Sequence, residues 1–451
     1  MGAKPTPNDT TSTVQAALER LKQHGNRLHA VAEMLNATAL AEARRCDDLA
    51  AAKSSAGPLH GLPIVVKDII DVVGVPTRSG SLTRSANPPA AKDAPVVAAL
   101  RGAGAIPIAK SNTVEFAIGG WGINRTVGTP WNPWDLKTHR VPGGSSSGTG
   151  ALVGAGVVTA GLGTDTGGSV RLPAAWSGCV GLKTSIGLVS RTGVTPLSET
   201  LDTIGPMTET VEIAARMLTA MQGPDATDPT TMHAHARDPL AGLHRGAQGL
   251  RLARINREHM PHLSAEMAEA FDRAVDQLRD AGATIVECTL PMALDEYQRI
   301  GSLLSASEAY ASYGDLADDP TSPLGPGNRA RILRGKGVTA SDYVRLRRLR
   351  DRSIADFEAV IDTADAIILP TTPYTAPPVA DVDEADLSYG THVRFVNYLE
   401  LAGLAVPIAL SPHGLPTSLQ IVVRRYDDPL ALRIGAAYEK VRGPFPKPSL
   451  A

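Results

Sequence analysis

The sequence predicts an α/β protein: a single large domain in which helices cover a central, twisted sheet that is mixed but mostly parallel. Three observations carry that reading. Short apolar runs alternate with amphipathic stretches along the chain. Of 451 residues, 43% are hydrophobic and 20% charged, the balance of a globular chain able to bury a large core. No repeat of roughly 20 to 50 residues is visible, which excludes a solenoid.

Taken in order, residues 11–34 read as an amphipathic helix, with Val14, Ala17, Leu18 and Leu21 on one side and Gly25 interrupting it. Residues 38–53 read as a second helix. Apolar runs at 63–66, 106–109, 285–288, 366–369 and 419–423 have the length and composition of strands. Helical periodicity recurs between them at 94–103, 265–281, 340–364 and 428–441. The Gly/Ala-rich run 151–162 reads as a tightly packing helix, too short and too rich in glycine to span a bilayer. Residues 224–249 turn polar and read as a surface connection between two halves of one domain. His233, His235 and His244 fall there, but no Asp/Glu/His set completes a ligand pattern around them, so neither metal nor cofactor is expected.

A formal net charge of −2 argues against a broad nucleic-acid footprint. Cys46, Cys179 and Cys288 are odd in number and scattered, which suggests a reducing compartment without a disulfide framework. The start, Met1-Gly2-Ala3-Lys4-Pro5-Thr6, has no apolar signal-peptide core and fits the myristoylation pattern only loosely. A cytoplasmic protein is expected.

The chemistry concentrates at Ser145 and Ser169, each behind a Gly-Gly pair, in Gly143-Gly144-Ser145-Ser146-Ser147-Gly148 and Thr164-Asp165-Thr166-Gly167-Gly168-Ser169. Two serines amid exposed backbone suit acyl transfer without histidine: one hydroxyl attacks, the other relays its proton, and N–H groups face the oxyanion. Lys67 stands alone in the apolar run 61–70, where lost hydration disfavours its charged form and makes it a usable base. Asp68, its neighbour, points to the opposite side of a strand and cannot share that role.

Rival motifs are weaker. Gly144-Ser145-Ser146-Ser147-Gly148 fits G-x-S-x-G, but residues 137–142 make a poor strand to carry an elbow. Residues 178–185 suggest a phosphate loop whose lysine is misplaced. A Ser-His-Asp triad would draw on His60, His392 or His413, and no spacing singles one out.

Residues 61–68, 142–148, 163–173, 178–184 and 201–207 together resemble the amidase signature family, with similarity running from about residue 59 to 441. The resemblance implies the amidase signature fold over 8–443, with 8–55 an N-terminal helical segment, 57–210 the catalytic core, and 1–7 and 444–451 as tails. It implies a Ser-cisSer-Lys mechanism: Ser169 as nucleophile, Ser145 as the serine behind a cis peptide, Lys67 as base. Thr166, Gly167 and Gly168 would hold the oxyanion, while Ser146, Asp165 and Arg171 brace the loops, Arg171 bridging to Asp165 or Asp202. Ala117, Ile118 and Trp121 would border the substrate, with Trp121 either a stacking wall or a core residue, and segments 310–324 and 389–398 completing the pocket.

The expected function is hydrolysis of a small amide, hydrazide or urea-like compound, releasing ammonia or an amine. The expected partner is that small molecule, with no nucleic acid bound directly, no membrane, and a homodimer at most. The alternative is the A subunit of a tRNA-dependent glutamyl/aspartyl amidotransferase, acting as a glutaminase within a complex. That subunit typically carries Asp-Gly-x-Arg-Tyr-Gly, whereas Glu308-Ala309-Tyr310-Ala311-Ser312-Tyr313-Gly314-Asp315 has no arginine. A non-catalytic binding subunit is a third reading, disfavoured by the intact Lys67, Ser145 and Ser169.

Overall fold

Strand β2 (Pro63–Lys67) shows why a sheet forms here: all five residues are buried, so this apolar, β-branched run is covered on both faces. The computed structural model describes residues 9–450, so the 1–7 tail and the Met-Gly start lie outside the described residues. Within them, β1 (Val31–Met34), β2, β3 (Ile106–Ser111), β4 (Ala160–Asp165), β5 (Val180–Lys183) and β6 (Thr203–Thr208) come from the first half. The second half adds β7 (Arg251–Ile255), β8 (Thr284–Cys288), β9 (Ala366–Pro370), β10 (Ala402–Leu410) and β11 (Pro416–Val423). All join one sheet, ordered β1-β3-β2-β4-β6-β5-β10-β11-β9-β7-β8.

The sheet is mixed, as expected, but the emphasis on parallel pairing needs correcting. Only β2 with β3 and β4, and β7 with β8 and β9, run parallel. The stretch from β4 through β6, β5, β10 and β11 to β9 is antiparallel throughout. The reason lies in the connections. Parallel neighbours need a crossover helix, which Pro95–Gly102 supplies between β2 and β3 and Ala265–Asp280 between β7 and β8. β10 and β11 are joined by a tight turn closed by Ser411 N–H donating to the Leu415 carbonyl, which permits only an antiparallel pair.

Two helix expectations also change. Residues 11–34 divide into a helix, Thr10–Arg20, a wider turn, Leu21–Gly25, and β1. A Cβ on Gly25 would stand 2.6 Å from Val31 Cγ2, so this glycine marks where the chain folds back on itself. The small-residue run is helical only over Ser147–Gly154, and from Ala160 it continues as β4. Every residue of that helix and of Arg171–Ser177 is buried, and the two pack directly together. Both begin just after a serine of interest. Residues 224–249 are largely irregular, as their composition predicts. No described helix is long and apolar enough to cross a membrane.

Candidate active site

Lys67 closes β2, and its side chain leaves the sheet towards the two glycine-serine loops. Its Nζ donates to Ser145 Oγ at 2.7 Å and to Thr164 Oγ1 at 2.7 Å. The residue is fully buried, and no carboxylate among the described residues pairs with it. Burial lowers its pKa to about 7, against the opposing pull of Asp165 and Asp202. Lys110, also buried, contrasts with it: its Nζ lies 3.2 Å from Asp68, on the far side of the strand register. Asp68 is thereby taken up away from Lys67, as the alternation along β2 predicts.

Ser145 and Ser169 are buried, and the peptide bond Gly144–Ser145 is cis. The two loops are tied through Ser146, whose N–H donates to the Ser169 carbonyl at 3.2 Å. Ser146 Oγ in turn accepts from Thr164 N–H at 3.3 Å, so it braces the loop against β4. Asp165 and Arg171, both without solvent exposure, form the hub beneath. Arg171 Nε and Nη2 donate to the two Asp165 oxygens at 3.0 Å each. Burial alone would raise the Asp165 carboxyl, but Arg171 and the N–H groups of Gly168 and Val170 outweigh it and hold it well below its usual range. Of the two carboxylates considered for Arg171, the fold chooses Asp165. Asp202 instead accepts from Thr166 Oγ1 at 2.5 Å and from the N–H groups of Leu197 and Ser198.

Gly168 N–H donates to Asp165 Oδ1 at 2.7 Å. Among the three backbone groups expected to face an oxyanion, Thr166 and Gly167 therefore line the cavity beside Ser169, and Gly168 turns towards its aspartate. That cavity, of about 70 Å³, is also walled by Ala117, Ile118, Tyr389 and Arg394. Trp121 does not line it. It lies in a core cluster, stacked on Trp176 at 5.7 Å and edge-on to Tyr389 at 4.8 Å, so the core reading of Trp121 holds. Segment 389–398 contributes to the wall as expected. Segment 310–324 does not, and its place is taken by Ser302, Ser305, Ala306 and Ala309, one face of the helix Leu294–Asp318.

Several site features were invisible in the sequence. Thr164 gives no signal, because an alternating position in a glycine-rich strand does not announce a lysine partner. Phe116 and Ala117 hold positive φ angles of 50° and 62°, in the left-handed region that residues with a Cβ rarely enter. Asn328 keeps them there by donating from Nδ2 to the carbonyls of Glu115 at 2.8 Å and Ile118 at 3.1 Å.

The rival motifs dissolve. Ser146 follows a loop and no strand, so the G-x-S-x-G geometry is absent. Lys183 belongs to β5 and donates to the Leu401 carbonyl inside the core, away from any phosphate. Among the described residues, no histidine lines the cavity. His392 is buried near Pro370, where burial pushes its pKa down to about 4.

The sequence model of the Amidase family matches residues 12–432. The A chain of a glutamyl-tRNA(Gln) amidotransferase from Maridesulfovibrio salexigens is 34% identical, over 98% of this chain and 95% of its own. Among solved structures, the peptide amidase of Stenotrophomonas maltophilia superposes with a TM-score of 0.87 at 30% identity, covering 98% of this chain and 95% of its own. A chain from a vestigial protein complex, studied for the origins of an s-triazine catabolic enzyme, gives 0.90 at 28% identity, with coverage of 96% and 95%. One expectation is overturned by these matches. Partners limited to a small-molecule amide, with no nucleic acid and at most a second copy, do not fit relatives that are named as one subunit of a larger, tRNA-directed enzyme. With its sheet, its glycine-serine loops and its lysine all in the places that these matches share, the chain belongs to the amidase family, the amidase signature enzymes.

Proposed function

We propose that this chain is the amide-cleaving subunit of a multi-chain enzyme, breaking the C–N bond of a carboxamide through an acyl-enzyme on Ser169 and releasing ammonia. The observation that carries the reading is the buried contact of Lys67 with Ser145, an amine whose neighbours are hydroxyls and whose pKa is near neutrality. Neutral Lys67 takes the Ser145 proton while Ser145 takes that of Ser169, and Ser169 Oγ attacks the carbonyl carbon. The N–H groups of Thr166 and Gly167 meet the oxyanion, a contribution of roughly 3–4 kcal/mol per donor. The relay then protonates the departing nitrogen, and water attacks the acyl carbon to free the acid and restore Ser169. Ser146, Asp165 and Arg171 hold these loops in register.

Likeness to the amidotransferase A subunits over nearly the whole chain supports a role beside partner chains, with glutamine as the ammonia source. A second reading, a small amide or urea-like compound as substrate, is favoured by the small cavity and the missing arginine at 308–315. Ammonia release from a panel of short amides, glutamine included, tests the mechanism. The wild-type chain turns over at least one of them, and Ser169→Ala loses about 10³-fold or more. Near-wild-type turnover by that variant would overturn the proposal.

A further inference from the structure

The cavity beside Ser169 has an unbalanced charge. Arg331, Arg334 and Arg394 line it, and no described aspartate or glutamate does. The three arginines are not equivalent. Arg331 is already engaged: its Nη2 donates to the Glu384 carbonyl at 2.6 Å, its Nη1 to the Ile118 carbonyl at 3.3 Å, and the Glu384 carboxylate lies 3.8 Å away. Arg334 is exposed at the rim and carries no ion pair among the described residues.

Arg394 is the informative one. It rises from the helix Thr391–Tyr398, and its Nε is shut from solvent with no hydrogen-bond partner among the described residues. Within them its sole hydrogen bond is a long one, from Nη1 to Ser305 Oγ at 3.4 Å. No described carboxylate lies within ion-pairing distance of it. The guanidinium is nevertheless firmly seated. A Cβ on Gly167 would stand 2.4 Å from Arg394 Cζ, and one on Gly301 2.9 Å from its Cδ, so two glycines make the slot that holds it. Through Gly167 it lies against the loop that ends at Ser169. Burial lowers its pKa, as it does for a guanidinium whose charge no nearby acid matches.

We infer that Arg394, with Arg334 at the rim, is the receptor for a carboxylate on the substrate, so that the amide cleaved at Ser169 belongs to a compact anionic molecule, a monoamide of a short dicarboxylic acid or its carboxylated urea counterpart. This inference rests on the proposed amide hydrolysis and names its substrate class. A planar guanidinium fork binds a carboxylate in two parallel hydrogen bonds, which fixes orientation as well as charge. The absence of an acid from the described cavity wall adds a second condition: nothing there receives an ammonium group. An α-amino acid amide such as glutamine would leave its ammonium unpaired, whereas the same carbon chain without the amino group would not. Arginine missing from 308–315 is thus no obstacle to an anionic substrate, since the helix Thr391–Tyr398 delivers one from elsewhere.

Three compounds of one carbon skeleton separate these conditions: glutaramate, glutamine, and pentanamide, which lacks the carboxylate. Ammonia release by the full-length chain gives kcat/KM for each, and calorimetric titration of the Ser169→Ala chain gives affinities that do not depend on turnover. Glutaramate is expected to exceed pentanamide by about tenfold or more, as for a hydrogen bond to a charged group. Arg394→Gln should cut that preference by about tenfold, through KM more than kcat, Arg394→Lys should recover part of it, and added salt should weaken it. Arg334→Gln, an exposed change that does not threaten folding, should lower the preference less. Equal affinity for glutaramate and pentanamide would overturn the inference, as would a preference unmoved by Arg394→Gln. Glutamine binding better than glutaramate would overturn the ammonium argument. Failure of every amide to turn over, with glutaramate still bound selectively, would sink the hydrolytic reading and leave the anion receptor standing.

Discussion

Lys67 and Asp165 are both wholly buried ionisable groups, and their surroundings push them in opposite directions. Lys67 donates to hydroxyls, and burial brings its pKa to about 7. Around Asp165 there are a guanidinium and several N–H groups, and it stays ionised. If neutral Lys67 is the base, kcat/KM is low below pH 7, rises through an apparent pKa near 7 and levels off above it. A profile flat from about pH 6 to 9 would contradict that role. For Asp165 the consequence is structural. Asp165→Ala strands the Arg171 charge in the core and should cost about 3–5 kcal/mol in urea unfolding, and a loss under about 1 kcal/mol would show that the pair is not the hub of these loops. At this scale the sequence was readable where a residue type is rare in its context, as a lysine in an apolar run or a serine behind paired glycines. It was silent on Thr164, Phe116, Ala117 and Arg394, whose positions depend on strand register and helix docking.

Among the elements, the helices Ser147–Gly154 and Arg171–Ser177 decide how near the two serines come. Their approach depends on glycine: a Cβ on Gly154 would fall 2.0 Å from the Ser177 carbonyl oxygen, and one on Gly150 2.8 Å from Pro173 Cβ. Gly154→Ala should therefore cost about 1–3 kcal/mol and lower activity with it, as overpacking does. Gly102, in the helix Pro95–Gly102, has open space around it, so Gly102→Ala should be neutral or gain about 0.5–1 kcal/mol. Denaturant midpoints of the two variants check the contrast, and equal shifts would refute it. Strands such as β2 and β9 were legible because they are short apolar runs between breakers. β4, rich in glycine, β5 and β6 were not, because their pairing comes from the sheet and not from local propensity. Strand direction was misjudged for the same reason: alternation of strand and helix signals describes the flanks, while the centre is built by returns without a crossover.

At the scale of the whole molecule, the hub that braces the loops draws on both halves of the chain. Besides Asp165, Arg171 donates to the Val393 carbonyl, to Asn397 Oδ1 and to Gln420 Oε1, at 2.9, 2.6 and 2.7 Å. The Tyr389 hydroxyl accepts from Gly120 N–H at 3.2 Å, and the Gly120 carbonyl accepts from Gly144 N–H at 2.7 Å, one residue before Ser145. A fragment ending at residue 250 holds Lys67, Ser145 and Ser169 but loses all of these supports, so it should show neither turnover nor a cooperative unfolding transition. Turnover by that fragment would show instead that residues 57–210 are self-sufficient.

Those long-range supports set an order of events during synthesis. Asn397 and Gln420 leave the ribosome 226 and 249 residues after Arg171, so the guanidinium waits without those partners while about half of the chain is made. The growing polypeptide is chemically silent through that time. It gains reactivity only when β11 docks, a timing that spares the amides of other nascent proteins from an unfinished hydrolase.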